Sequence, residues 1–316
     1  MKKQILLSFL AGAVVPLLLA ALYQGTPPSG DVERGGLSPV AEERQDSAVI
    51  LTVKTRTGNL QQMDLEEYLL GVVLAEMPAD FDSEALKAQA VVARTYTRKR
   101  MEGSKHEGAA VCMDPACCQS WKSEEAYLDQ GGRRSSVEKV RQAVTDTDGM
   151  VLCYDGKLID ATYFSCSGGS TEDAVAVWGR DVPYLQAVES PGEENAPRYS
   201  ETVTISVSEF CGKLGIPEKT EGLLGAVRHT GGGGVETMVI AGQEFTGTQL
   251  RSKLGLRSTA FEMVQRGNNI EITTRGFGHR VGMSQYGAQA MAKAGSTYAQ
   301  ILAHYYTGAE LVRTEE

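Results

Sequence analysis

Two apolar stretches abut near position 80, and their junction constrains the fold more than any other feature of the chain. Tyr68, Leu69, Val72, Val73 and Leu74 recur with helical spacing, and the run ends at Glu76-Met77-Pro78. A second helical pattern covers Ser83 to Arg100, capped by Asp82 or Ser83, with Glu84 in its first turn. Its small and apolar residues (Ala85, Leu86, Ala88, Ala90, Val91, Val92) predict a buried helix. Lys87 and Arg94, seven apart, lie near one face of it. Glu76 therefore sits between two helices beside hydrophobic side chains. Desolvation there favours the neutral carboxyl, the form a general acid needs near pH 7. On position alone, a solvated surface glutamate is the competing reading.

The chain of 316 residues has room for one large domain or two, preceded by a tail. Its 31 basic against 40 acidic residues argue against nonspecific nucleic-acid binding. Lys2 and Lys3 precede an almost uncharged apolar stretch from Ile5 to Tyr23, about the length that spans a bilayer. Residues 1–24 thus read as a membrane anchor with the remainder exported, a cleaved signal peptide being the alternative. Residues 25–47, rich in Pro, Gly and charge, read as a flexible linker. The folded part is then 48–316.

Strand patterns fall at Val49 to Lys54, at a hairpin of Met150 to Tyr154 with Leu158 to Phe164, and at a second hairpin of Phe261 to Gln265 with Ile270 to Thr274. Helices are expected at Leu65 to Leu74, Val137 to Thr145 and twice after Ser284, split at Gly295. Between 201 and 258 the texture changes: a strand (Val203 to Val207), a short helix (Ser208 to Leu214), a Gly231 to Gly234 turn, a strand near Met238 and a helix from Thr248 to Leu254. That region reads as a small inserted α/β subdomain. The whole is an α+β fold, with mixed helices and antiparallel hairpins around a groove.

Three segments carry a family resemblance: AEMPADFDSEALKAQAVVARTY (Ala75 to Tyr96), YFSCSGGSTEDAVAVWG (Tyr163 to Gly179) and GFGHRVGMSQYGAQAMA (Gly276 to Ala292). Together, and in this order, they resemble the stage II sporulation protein D family, membrane-anchored peptidoglycan lytic transglycosylases of endospore-forming bacteria. The resemblance extends from Val49 to Gly308, and amidase-enhancer proteins share similar motifs. It implies a single-pass membrane protein whose catalytic domain faces the space between mother-cell and forespore membranes. Its implied substrate is the peptidoglycan glycan strand, and its implied partners are the sporulation amidase (stage II sporulation protein P) and a membrane scaffold. The catalytic acid falls on Glu76, and substrate-side cations fall on Lys87 and Arg94, where they would bind the lactyl carboxylate of peptide-free muramic acid, pairing with surface acids being the alternative. Arg280 departs from the pattern, which more often reads Gly-His-Gly-Val, and it either narrows the groove or points to solvent.

A lytic transglycosylase uses the sugar's own 6-hydroxyl as nucleophile, so one carboxyl suffices where ordinary glycosidases pair two. Only Glu76 is framed for that role; capping and solvation account for Asp80, Asp82 and Glu84. Tyr163, Ser167, Ser284, Gln285 and Tyr286 are candidate sugar contacts, each equally open to a structural hydrogen-bonding role. His279 is open to an orienting or a structural role. A second constellation, His106, Cys112, Cys117 and Cys118, has the ligand types of a closed structural zinc site. The resemblance implies zinc bound there by two His and two Cys, with Cys117 replacing one histidine here. A disulfide from Cys112 to Cys117 or Cys118 is the alternative in an exported protein. No cofactor is expected in catalysis. Cys153, Cys166 and Cys211 read as buried thiols.

Overall fold

A computed structural model describes residues 48–197, 199–219 and 221–314. The expected anchor and linker lie outside the described residues. No helix among those described is long and apolar enough to cross a membrane.

The chain begins with an antiparallel pair, β1 (Ile50–Lys54) and β2 (Leu60–Asp64). Asp64 ends β2 and caps α1 (Leu65–Glu76) by accepting from the Glu66 and Glu67 amides. Asp82 caps α2 (Ser83–Glu102) in the same way. A two-residue strand, β3 (Val111–Cys112), then joins β1 in parallel. Helices α3 (Glu124–Asp129) and α4 (Arg134–Asp146) precede β4 (Met150–Tyr154) and β5 (Lys157–Leu158). Asp155 and Gly156 both take positive φ, as the tight hairpin turn requires.

The first expected hairpin is shorter than its sequence pattern. β5 pairs with β4 over two residues, and the chain then departs so that β6 (Tyr163–Phe164) pairs in parallel with β13 (Met283–Ser284) near the C-terminus. The other neighbour of β4 is β14 (Glu310–Arg313). Apolar alternation marks 158–164 as extended, but it does not encode which partner the backbone finds.

After α5 (Ala174–Trp178), a second hydrophobic core forms. It is built by β7 (Ser200–Ser206), α6 (Val207–Leu214), β8 (Leu224–His229), β9 (Val235–Ile240), β10 (Gln243–Thr246), α7 (Gly247–Leu254), β11 (Phe261–Arg266) and β12 (Asn269–Arg275). The expected 201–258 boundary falls short, because β12 lies between β11 and β7 and runs in register with β7 from Asn269↔Ser206 to Arg275↔Ser200. Phe261, Ile270 and Ile272 belong to this second core.

The main core surrounds α2. Helices α1, α4, α8 (Gln285–Lys293) and α9 (Tyr298–Tyr305) and strand β4 all pack on it. Alanines at 85, 88, 90 and 93 are fully buried and let these neighbours approach closely. Arg94, Thr95 and Thr97 in its buried stretch bond internal partners, and Gln89 accepts from Gln285 while its own Nε2 has no partner. Arg94, 1% exposed, forms a two-pronged pair with Glu66 (3.0 and 2.7 Å) and donates to the Thr147 and Val144 carbonyls.

Arg280 neither narrows a groove nor reaches solvent. It is 1% exposed and takes a left-handed φ of 66°, which explains why glycine suits this position. Its guanidinium donates to Glu172 (2.9 Å) and to the Ser167, Ser170 and Gly232 carbonyls. Glu172 also accepts from the Gly234 amide and the Thr230 hydroxyl. This ion pair therefore stitches the β8–β9 turn of the second unit to the loop after β6. Arg280→Ala would leave a buried carboxylate uncompensated and should lower stability by roughly 3–5 kcal/mol. Urea unfolding of the variant checks this; a loss below about 1 kcal/mol, the level of an ordinary substitution, would refute it.

Candidate active site

Glu76 ends α1 and is only partly exposed. It lines a cleft of about 410 Å³ together with Tyr96, Cys118, Tyr163, Phe277, His279 and Gln285, among others. No other carboxylate lines that cleft among the described residues. Its Oε1 accepts a 2.6 Å hydrogen bond from the Ser120 amide. Burial raises its pKa above the ordinary carboxylate range; the Ser120 contacts and the Tyr163 hydroxyl pull the other way and lose.

Tyr163 comes from β6, and its hydroxyl lies 3.4 Å from Gln119 Oε1. Burial first, then the facing Glu76 charge, pushes its phenol up, so it stays an O–H donor. His279 Nδ1 accepts from the Val281 amide at 3.1 Å, which leaves the proton on Nε2. Burial, and next the charge of Arg251, hold this imidazole down to about 4. It is a neutral ring held in the cleft wall by a local hydrogen bond.

The structure brings Tyr163 and Gln285 to Glu76 but not the other expected sugar contacts. Ser167 and Ser284 are fully buried, and both donate to Glu193, a buried carboxylate that also accepts from Ser190 and the Gly168 amide. They hold the cleft's backbone rather than line it. Tyr286 packs edge-on against Phe81, ring centroids 5.1 Å apart, away from the cleft lining. Arg94 is spent inside the core as described. Lys87 bridges Glu84 (3.1 Å) and Asp146 (3.0 Å) on the outer side of α2. Neither cation lines the cleft, and so neither lowers the pKa of Glu76.

His106, Cys112, Cys117 and Cys118 converge, with ligand atoms all within 4.8 Å of one another. His106 Nε2 lies 3.2 Å from Cys118 Sγ and 3.8 Å from Cys117 Sγ. Ligand bonds of about 2.0–2.3 Å in a tetrahedron put donor atoms roughly 3.5–3.8 Å apart, so the set fits zinc. All four side chains are unbridged, with no disulfide among the described cysteines. The sequence reading missed Ser120, because its contribution is a backbone amide. Its only signal is position, two residues past Cys118 at the end of the ligand cluster.

These observations meet the comparisons with known proteins. A family model described as "SpoIID: Stage II sporulation protein" matches residues 53–154. "Stage II sporulation protein D" of Bacillus amyloliquefaciens is 40% identical over 285 residues, 88% of this chain and 82% of that protein. The protein of the same name from Bacillus subtilis is 38% identical, over 94% of this chain and 91% of its own length. The chain belongs to the stage II sporulation protein D family. A protein named "Amidase enhancer" from Bacillus subtilis is 30% identical over 77% of this chain, which spans 40% of that longer relative. The family model's match covers Glu76, Ser120 and the His106–Cys118 cluster, while Tyr163, Phe277, His279 and Gln285 of the cleft lie beyond it.

A raised carboxyl pKa has a stability consequence of fixed sign. The folded state holds the Glu76 proton more tightly than the unfolded chain, so ionisation costs stability as pH rises from 4.5, the ordinary value, through the folded value. Glu76→Gln keeps the acceptor for the Ser120 amide and carries no charge. Its melting temperature should equal that of the wild type near pH 4 and exceed it at pH 7. A variant less stable at pH 7 would show that Glu76 is not desolvated.

Proposed function

We propose that this protein is a peptidoglycan lytic transglycosylase acting in septal remodelling and engulfment during sporulation. The observation that carries the reading is the lone carboxyl of the cleft, neutral-leaning and anchored by one amide. Protonated Glu76 gives its proton to the glycosidic oxygen between N-acetylmuramic acid and N-acetylglucosamine. The carboxylate so formed then takes the proton of the muramyl 6-hydroxyl as that oxygen closes on the anomeric carbon. One group serves both steps, because the nucleophile belongs to the substrate. The Ser120 amide and Tyr163 hydroxyl favour the ionised intermediate state, so the carboxyl is poised between its two forms. Site and family together favour an extracytoplasmic glycan strand as substrate, with the N-terminal segment as a membrane anchor and the sporulation amidase as the partner that exposes bare strands.

The His106, Cys112, Cys117 and Cys118 set would hold a structural zinc ion. With four protein ligands such an ion has no open position for water, and its part is to brace the loop that delivers Ser120 to Glu76. Purified protein should carry about one zinc per chain, and Cys118→Ser should lower both metal content and melting temperature. Metal-free protein that has lost two titratable thiols would favour the disulfide instead.

A second reading, a non-catalytic glycan-binding activator of a cell-wall amidase, is favoured by the relative named for amidase enhancement. Mass spectrometry of products from peptide-free strands separates the two. The enzyme reading expects 1,6-anhydro-muramyl ends from wild type and a loss of at least about 10³-fold in Glu76→Gln, since the acid contributes to both steps. Intact strands from folded wild-type protein would move it to the activator class.

A further inference from the structure

Gln119 lies between the cysteine cluster and Ser120, and only 1% of it is exposed. Its side chain links two elements of the main core. Nε2 donates to the Thr97 hydroxyl of α2 at 3.0 Å, and Oε1 accepts from the Tyr163 hydroxyl of β6 at 3.4 Å. Thr97 decides which way round this amide sits. Its one hydroxyl proton goes to the Ala93 carbonyl at 2.8 Å, so toward Gln119 it can only accept. That places the NH2 of Gln119 on Thr97 and leaves the amide oxygen for Tyr163. The buried Tyr68 hydroxyl of α1 approaches the same amide without bonding it.

Tyr163 lines the cleft, and its hydroxyl also faces Glu76. It has one proton and two acceptors: a neutral amide oxygen and a carboxyl whose charge comes and goes. Apart from Glu76, the ionisable groups facing Tyr163 are the phenols of Tyr68 and Tyr96; burial pushes both up, so neither supplies a charge. Burial, Ser120 and Tyr163 are the influences on Glu76 itself. A phenol O–H rotates about its C–O bond to suit its acceptor, with no movement of heavy atoms. A hydrogen bond to an ionised acceptor is roughly twice as strong as one to a neutral group. The proton therefore belongs on Gln119 while Glu76 is neutral and on Glu76 once it is a carboxylate.

We propose that Gln119 is a positioning residue for the cleft: it parks the Tyr163 hydroxyl proton while Glu76 carries its own, and yields that proton's hydrogen bond to the carboxylate between the two halves of the reaction. Tyr163 keeps its proton throughout; only the direction of the O–H bond changes, and it returns when Glu76 is protonated again. The proposal rests on reading Glu76 as the group that gives and then takes a proton in the cleft. It gives a second task to the loop that supplies the Ser120 amide.

The pH dependence of the melting temperature of full-length protein tests this without substrate. Each variant is compared with its own Glu76→Gln counterpart, and the pH at which the two curves part reports the ionisation of Glu76. Gln119→Met keeps the bulk and removes the parking acceptor, which disfavours the neutral carboxyl. Ionisation should then set in about one pH unit lower, the scale of one hydrogen bond. Tyr163→Phe should move it upward, and adding Gln119→Met to Tyr163→Phe should change nothing more, because no proton is left to park. Thr97→Val reaches the same amide from α2, away from the cysteines, and should act in the direction of Gln119→Met. If Gln119→Met does not fold, Thr97→Val with and without Tyr163→Phe carries the same cycle. A shift that persists without the Tyr163 hydroxyl, or no shift in the folded variants, would overturn the proposal. Cleavage of peptide-free strands is scored separately, where Gln119→Met should lower kcat by about tenfold with KM unchanged. Coupled shifts with no cleavage by any protein would sink the transglycosylase reading and leave the positioning role standing. Cleavage by wild type with uncoupled shifts would do the reverse.

Discussion

Everything in the main core answers to the burial of α2. A helix covered on all sides can carry few large residues, and its alanines accept the crowding of four helices and a strand. Its polar groups must then be satisfied internally. Arg94 does this by drawing Glu66 of α1 and the carbonyls that end α4 onto one guanidinium. Thr95 accepts the Leu152 amide of β4, and Gln119 reaches Thr97 from the loop beyond the cysteines. Helix α1 is thereby held at a fixed angle, and the carboxyl at its C-terminal end has one place to go.

The cleft shows how a single acid is tuned without a charged neighbour. Desolvation raises Glu76, while a backbone amide and a phenol favour its ionised form. Neither balancing group carries a charge, so the net shift depends on packing and on where the Cys118–Ser120 loop sits. A lysine or arginine in the same position would have overridden the desolvation. The inward turn of Arg94 and the outward pairing of Lys87 are thus as much a part of the acid's chemistry as the residues that touch it.

Local order was legible in the sequence where periodicity and capping agree. The α1–α2 corner, the Asp82 cap, the Phe261–Thr274 hairpin and the convergence of His106 with three cysteines all lie within short stretches whose pattern leaves one or two readings. Glu76 was legible through that corner. What could not be read is long-range partnership. The β6–β13 pair joins residues about 120 apart in the chain, and nothing in either dipeptide names the other. Buried polar groups misled for a related reason. Ser167, Ser284 and Arg94 have the residue types of ligand contacts, and only the fold discloses that Glu193 and Glu66 claim them first. Arg280 looked anomalous because its counterion, Glu172, lies over a hundred residues upstream.

The second unit enters through β7 and leaves through β12, and its entry and exit residues, Ser200 and Arg275, are paired neighbours. A segment whose ends already touch can be exchanged as a cassette: splicing another in requires only that two adjacent strand ends be rejoined. Glu76, Ser120 and Tyr163, the groups that meet in the cleft, all lie outside the cassette. The cassette and the surroundings of Glu76 are therefore separately inheritable, and a lineage could replace the one without disturbing the other.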